Sequence, residues 1–230
     1  MSNDQMVSNA ADFYREDVKK QQHNPKVSPV TAWIMIIITF TVTTMVLYGI
    51  GRLFFWDKYS ADPFYIQQFE ALKQRVEAEP DNVENHVNLG WAYFQKDELN
   101  QALVHFEKAS SLDEKYFPAF FHQGLTYMQM EKYELAANAF STAVSLAPRD
   151  HVSQMNLGIA YARQGQYEKA ENALTRAYLL RPGSTEILVE LGSMYEQMGD
   201  LEKAKENYTE ALAFNPNDAV ASAALKRLGQ

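Results

Sequence analysis

The side chains that could do chemistry in this chain are its five histidines, His23, His86, His105, His122 and His151. A histidine metal pair on one helix needs its rings a turn apart, as in His-x-x-x-His or His-Glu-x-x-His, and neither pattern occurs. The chain has no cysteine, so disulfides, thiolate nucleophiles, thiolate metal ligands and a Cys-x-x-Cys-His haem attachment are excluded. There is no glycine-rich phosphate loop and no Gly-x-Ser-x-Gly elbow. The expectation is therefore a non-enzyme, with no catalytic residue, metal or cofactor. Asn207-Tyr208-Thr209 matches a glycosylation acceptor formally but falls inside a predicted helix. A net charge of −8, from 21 basic and 29 acidic side chains without a basic run, argues against nucleic acid as a partner.

What the chain does carry is a repeated frame on which a binding surface could be built. Gly90, Gly124, Gly158 and Gly192 follow one another at one constant step, and Tyr93, Tyr127, Tyr161 and Tyr195 keep the same step. It also links Ala102, Ala136, Ala170 and Ala204, and again Ala109, Ala143, Ala177 and Ala211. A self-similar period of about 34 residues marks a helix-turn-helix solenoid. Gly90 and Tyr93 are one helical turn apart beside Leu89, so Leu and Tyr pack while the missing side chain lets a second helix approach. Ala102 and Ala109, two turns apart on that second helix, are expected to supply the flat opposing face. Pro148, Pro182 and Pro216 end the second helices.

On these columns the sequence resembles the tetratricopeptide repeat (TPR) family over residues 83–218. The resemblance implies an all-α, right-handed superhelix (an α-solenoid), with TPR 1 at 83–116, TPR 2 at 117–150, TPR 3 at 151–184 and TPR 4 at 185–218. The turns between paired helices fall at Lys96-Asp97-Glu98, Gln164-Gly165-Gln166 and Met198-Gly199-Asp200. Some positions depart from the family pattern: its Trp-like site is His86, Phe120, Gln154 and Leu188, one Leu-like site is Gln123, and Glu114 stands where Pro is expected. Residues 219–230 read as a terminal cap helix, with Val220, Ala224 and Leu228 at helical spacing.

In TPR proteins the first helix of each repeat lines the concave groove. Carried onto this sequence, that face holds Val87, Trp91, Phe94, Phe121, Leu125, Met128, Met155, Ile159 and Arg163. It is mostly apolar, aromatic and Met-rich in the first three repeats and fades into polar residues in the fourth, where Ser193 and Glu196 follow Val189. Only Asn88, Asn156 and Arg163 fit the polar set with which some TPR modules clamp a C-terminal carboxylate. An apolar or amphipathic segment of another protein is the expected occupant. The alternative at these positions is structural: tight curvature would bury the same side chains against neighbouring repeats, or the chain's own cap helix would fill the groove.

Upstream, residues 27–51 contain no charged side chain, with Trp33-Ile34-Met35-Ile36-Ile37-Ile38 at the centre. A transmembrane helix is expected at 29–56, with membrane contact from Val30 to Phe55, Trp33 at one interface and Tyr48, Trp56 and Tyr59 at the other, and Arg52 reaching the headgroups. The apolar run is longer than that of a cleaved signal peptide and has no Ala-x-Ala-like site, so it reads as an uncleaved signal-anchor. Residues 1–28 form a polar tail in which Val7, Ala10, Ala11, Tyr14 and Val18 fall at helical spacing. Arg15, Lys19, Lys20 and Lys26 precede the span and only Arg52 and Lys58 closely follow it. The positive-inside rule then puts the tail in the cytoplasm and the repeats outside, in a bacterial periplasm or at the cell exterior. Between span and repeats, Asp62-Pro63 opens a capping helix at 62–80 with Ile66, Phe69, Leu72 and Val76 on one face.

The function expected is a single-pass, membrane-anchored interaction scaffold in the assembly or biogenesis of a membrane or periplasmic complex. The run Leu72 to Asp81 followed by TPRs resembles the periplasmic repeat domains of bacterial assembly factors of the cytochrome c maturation type. Anchored TPR chaperones at the secretion translocon, cytosol-facing import receptors for amphipathic targeting segments, and a structural subunit of a larger membrane complex are the alternatives. Fold alone does not separate them.

Overall fold

The computed structural model describes residues 29–51 and 63–229. The tail 1–28, the interfacial residues Arg52, Trp56 and Tyr59 with Lys58, and the Asp62 cap lie outside the described residues. The chain divides into two units, 1–61 and 62–230.

In the first unit, helix α1 runs Pro29–Gly51, 23 residues with no acid in its first turn and no base in its last. Its described side chains, Trp33 to Met45, are exposed, and Ile36 is 56% and Phe40 69% accessible. The hydroxyls of Thr39, Thr41, Thr43 and Thr44 donate to carbonyls three and four residues back, at 2.7–3.0 Å. The described side chains span only part of the helix. Among the described residues, no helix is long and apolar enough to cross a membrane.

The second unit is all helical among the described residues: α2 (Pro63–Ala78), then pairs α3 (Val83–Gln95) and α4 (Leu99–Leu112), α5 (Phe117–Gln129) and α6 (Tyr133–Leu146), α7 (His151–Arg163) and α8 (Tyr167–Leu180), α9 (Thr185–Met198) and α10 (Leu201–Phe214), and last α11 (Ala219–Leu228). The two helices of each pair pack together, and each second helix packs on the helix that follows it. The starts of α3, α7 and α10 carry side-chain caps: Asn82 Oδ1 accepts from the Asn85 N–H at 3.1 Å, Asp150 from Ser153 at 2.8 Å, and Asp200 from Lys203 at 3.1 Å.

The turn inside every pair is the same device. The N–H of Glu98, Lys132, Gln166 and Asp200 donates to the carbonyl of Tyr93, Tyr127, Tyr161 and Tyr195, at 2.9–3.0 Å. This closure needs a left-handed residue just before the donor. Asp97 (φ 61°), Glu131 (φ 58°), Gly165 (φ 74°) and Gly199 (φ 89°) provide it, again at the repeat step.

The alanine columns are fully buried: Ala102, Ala136, Ala170, Ala204, Ala109, Ala143, Ala177 and Ala211 are all 0% exposed. What covers the glycine column, however, is not an alanine. A Cβ on Gly90 would lie 2.7 Å from Phe106, on Gly124 2.6 Å from Phe140, on Gly158 2.6 Å from Leu174, and on Gly192 2.7 Å from Tyr208. These four large side chains form a further column in the same register. The alanines let the helices close, and the large side chain fills the recess that glycine leaves.

Helix α2 packs on α3 through Phe69, edge-on to Tyr93 at 5.0 Å, and through the Tyr65 hydroxyl, which donates to the Ala92 carbonyl at 3.3 Å. Ile66, expected on this face, is instead exposed, and Tyr65 takes its place, because the packed stripe is Tyr65, Phe69, Leu72, Val76. At the other end, Asp218 caps α11 by accepting from Val220 and Ala221, and Arg227 grips the Glu196 carboxylate with Nε and Nη2 at 2.8–3.1 Å.

Candidate functional site

The first helices α3, α5, α7 and α9 present one face whose side chains follow the repeat step. On α3 the Trp91 indole stacks on Phe94 with ring centres 5.0 Å apart, and meets the His122 ring of α5 at 4.9 Å. His122 stacks on the buried Phe106 at 5.3 Å and meets Phe121 edge-on at 5.6 Å, and Phe121 leans on Phe140 at 5.9 Å. An aromatic chain thus runs from the surface to the core, with Trp91, 36% accessible, at its outer end.

The expected groove residues divide into three kinds. Val87 and Met155, at 6% and 7% exposure, are core side chains and do not line an open surface. Val87 packs with Ala102, Phe106, Ala109 and Ala119, and Met155 belongs to the cluster holding Leu174, Ile187 and Leu188. Phe94, Phe121, Leu125, Met128 and Ile159 are half-buried, each resting on a core cluster with its outer side open. Trp91 and Arg163 are exposed. The surface is therefore narrower than the sequence suggested, because Val87 and Met155 are buried where Phe121 and Val189, at the same repeat position, are only half-buried.

A polar column runs beside the apolar ones: Asn88, His122, Asn156 and Glu190, one to each repeat at the same step. His122 Nδ1 is buried with no hydrogen-bond partner, and burial holds its imidazole below the usual histidine range. Asn156 Nδ2 donates to the Val152 carbonyl at 2.9 Å. Glu190 is half-buried; burial pushes its carboxyl up, the Arg163 guanidinium opposes this, and Glu186 adds to it. Among the described residues Glu190 has no hydrogen bond or ion pair. His122 and Glu190 were not anticipated as surface groups here; taking the repeat step onward from Asn88 and Asn156 would have found both.

Elsewhere the fourth repeat satisfies its own acids. Glu196, expected at the groove, is taken by Arg227 and by the Tyr208 hydroxyl, which donates to it at 3.1 Å. Burial, then this hydrogen bond, push the Tyr208 phenol up to about 12. Tyr195 likewise donates to Glu171 at 2.6 Å.

The remaining histidines are structural or peripheral. His86, buried at the Trp-like position, sets Nε2 2.8 Å from the Pro80 carbonyl and Nδ1 3.1 Å from Nδ1 of His105. With Nε2–H donating to Pro80, His86 Nδ1 is an acceptor and His105 supplies the proton. Two histidines from different helices thus meet, although sequence spacing on any one helix showed no pair. Among the described residues no group of three His, Cys, Asp or Glu could hold a metal. His151 Nε2 lies 3.0 Å from Arg181.

Paired antiparallel helices stacked on a constant step, with one face of open side chains and no catalytic constellation among the described residues, define a helical-repeat solenoid of the kind that presents a surface to other proteins. The chain belongs to the tetratricopeptide repeat family: tetratricopeptide repeat models match residues 83–116, 121–185 and 157–229. Among solved structures it is similar to residues 41 to the end of MamA from Desulfovibrio magneticus RS-1, 25% identical over 66% of this chain and 86% of that one, with a TM-score of 0.63. MamA MSR-1 C2 is similar at 24% identity over 74% of this chain and 99% of that one, TM-score 0.61. The APC/C hetero-tetramer Cut9–Hcn1 shares the fold at 21% identity over 71% of this chain and 33% of that one, TM-score 0.62. No curated protein sequence matches the chain.

Proposed function

We propose that this protein is a membrane-anchored TPR scaffold whose first-helix face binds an apolar or amphipathic segment of another protein, in assembly or biogenesis of a membrane or extracytoplasmic complex. The observation that carries the reading is the surface of Trp91, Phe94, Leu125 and Met128: apolar side chains held by the core beneath yet open on the outer side. Rigid aromatics and adaptable methionine on a preformed face suit an apolar partner segment. The acidic remainder of the domain keeps it soluble.

Among the described residues no helix is long and apolar enough to cross a membrane, so the anchor rests on the sequence, on the uncharged run 27–51 that contains α1. Its threonine hydroxyls are satisfied within the helix, as an apolar surrounding requires. The charge asymmetry favours a cytoplasmic N-terminus and extracytoplasmic repeats.

Two experiments test these parts. Trp91→Ala in the full chain should abolish partner capture from native membranes while the repeats stay folded by circular dichroism, since Trp91 is the most exposed aromatic side chain on this face; equal capture would refute the groove. Because the chain has no cysteine, a single Lys115→Cys reports topology. Labelling by an impermeant maleimide in intact cells is expected, and labelling only after lysis would refute the orientation.

A further inference from the structure

The apolar surface and the unpaired carboxylate lie on the same face. Glu190 occupies, by the repeat register, the place on α9 that His122 has on α5, where the ring meets Trp91 of the preceding first helix. The charged and titratable groups around Glu190 are Arg163 on α7, Glu186 on α9 and Tyr208 on α10. One guanidinium therefore stands against two carboxylates. Arg227, the other cation beside Tyr208, is already committed to Glu196. Glu190 has no hydrogen bond or ion pair among the described residues and its carboxylate oxygens are still reached by solvent, so a partner's cation can approach it and offset the local negative charge.

We propose that the segment bound on this face is amphipathic and cationic, placing apolar side chains over Trp91, Leu125 and Met128 and a Lys or Arg against Glu190. The inference rests on the groove reading above and adds the sign and place of the partner's charge. From Leu125 on α5 to Glu190 on α9 is two steps between first helices, roughly 20 Å at the usual helix spacing. The apolar and cationic parts of the segment are then separated by about six residues if extended, or about 13 if helical. An acidic segment or a C-terminal carboxylate would meet one cation, Arg163, against the two carboxylates Glu190 and Glu186.

The test uses the full chain in detergent and three labelled peptides of about 18 residues, roughly 27 Å as helices: a Leu/Lys amphipathic sequence, its counterpart with Glu for every Lys, and one with Ser for every Leu. Anisotropy should show binding of the Leu/Lys peptide only, weakening steeply with salt. Glu190→Gln should reduce that affinity about tenfold and flatten the salt dependence, while Glu134→Gln, exposed on α6, changes neither. Leu125→Asp should remove binding. If Glu190→Gln binds as tightly as the parent, or the Glu peptide binds equally, the cation site is overturned, and the groove stands provided Leu125→Asp still abolishes binding. If Leu125→Asp has no effect, or the Ser peptide binds as well as the Leu peptide, both readings fall. Glu190→Gln should melt no lower than the parent, so loss of binding is not loss of fold.

Discussion

Adding one methyl group at Gly124 asks whether the close approach of paired helices depends on glycine. The new Cβ would lie 2.6 Å from Phe140 Cδ1 and Cε1 and 2.7 Å from Cζ. Ordinary carbon contact is about 3.5–4.0 Å, so the ring or the helix must retreat by about 1 Å. Phe140 is 0% exposed and held by Phe121, so it has little freedom to do so. Overpacking of this kind costs about 1–3 kcal/mol, and replacing a mid-helix glycine by alanine returns about 1 kcal/mol. Gly124→Ala should therefore be no more stable than the parent, with a net loss of up to about 2 kcal/mol. Phe140→Ala alone should lose about 3–5 kcal/mol. In the double variant the methyl partly fills the space the ring vacates, so the combined loss should fall short of the sum by about 1 kcal/mol. Urea unfolding followed by tryptophan fluorescence and by far-UV circular dichroism measures all three; coincident curves are required, because repeat arrays can unfold in parts. A Gly124→Ala protein more stable than the parent, or strictly additive losses, would refute the packing argument.

Glu131 holds a left-handed turn conformation that a side chain makes costly by about 1–2 kcal/mol. Glu131→Gly should raise the urea midpoint, by less than that cost because glycine also loosens the unfolded chain, whereas Asp97→Gly should gain less, since Asp97 Oδ1 accepts from Gln129 Nε2 at 2.8 Å. Burial, joined at His105 by the nearby His86, holds His105 and His122 below the usual histidine range. Both then take up protons near pH 6.5 in the unfolded chain before they do so when folded, so their stability contribution is complete above about 6.5 and declines on acidification. His122→Phe should flatten the fall of melting temperature between pH 8 and 5, and an unchanged slope would contradict the assignment. Arg227→Ala releases the α11 cap from Glu196, and faster amide exchange is expected in α11 with α3 to α6 unchanged.

The periodicity was the most legible part of the chain because a repeat forces the same contact to recur, so Gly, Tyr and both alanine columns could be found by counting. The same count would have found Phe106, Phe140, Leu174 and Tyr208. They escaped notice because the column mixes aromatic and aliphatic types, while the recess they fill demands only bulk. The turn residues show the same effect: Gly165 and Gly199 stand out in sequence, but Asp97 and Glu131 take the identical backbone conformation without the signature residue. The groove was half legible. Trp91, Leu125 and Met128 can be assigned to a face from helical spacing, but whether a side chain on that face is covered depends on the tilt of the next helix. That tilt buries Val87 and Met155 and leaves Trp91 open. The pairing of His86 with His105 depends on contact between two helices, which spacing along either one does not contain.

The measurement that bears most directly on the central claim is in-cell photo-crosslinking from a photoreactive residue at Leu125, on the apolar face, compared with one at Thr175, exposed on α8. The account predicts a discrete crosslinked polypeptide at Leu125, absent at Thr175 and lost with Trp91→Ala, whose captured peptide is apolar with Lys or Arg at one end. Crosslinks at Leu125 only to its own chain, or the same products from both positions, would contradict it.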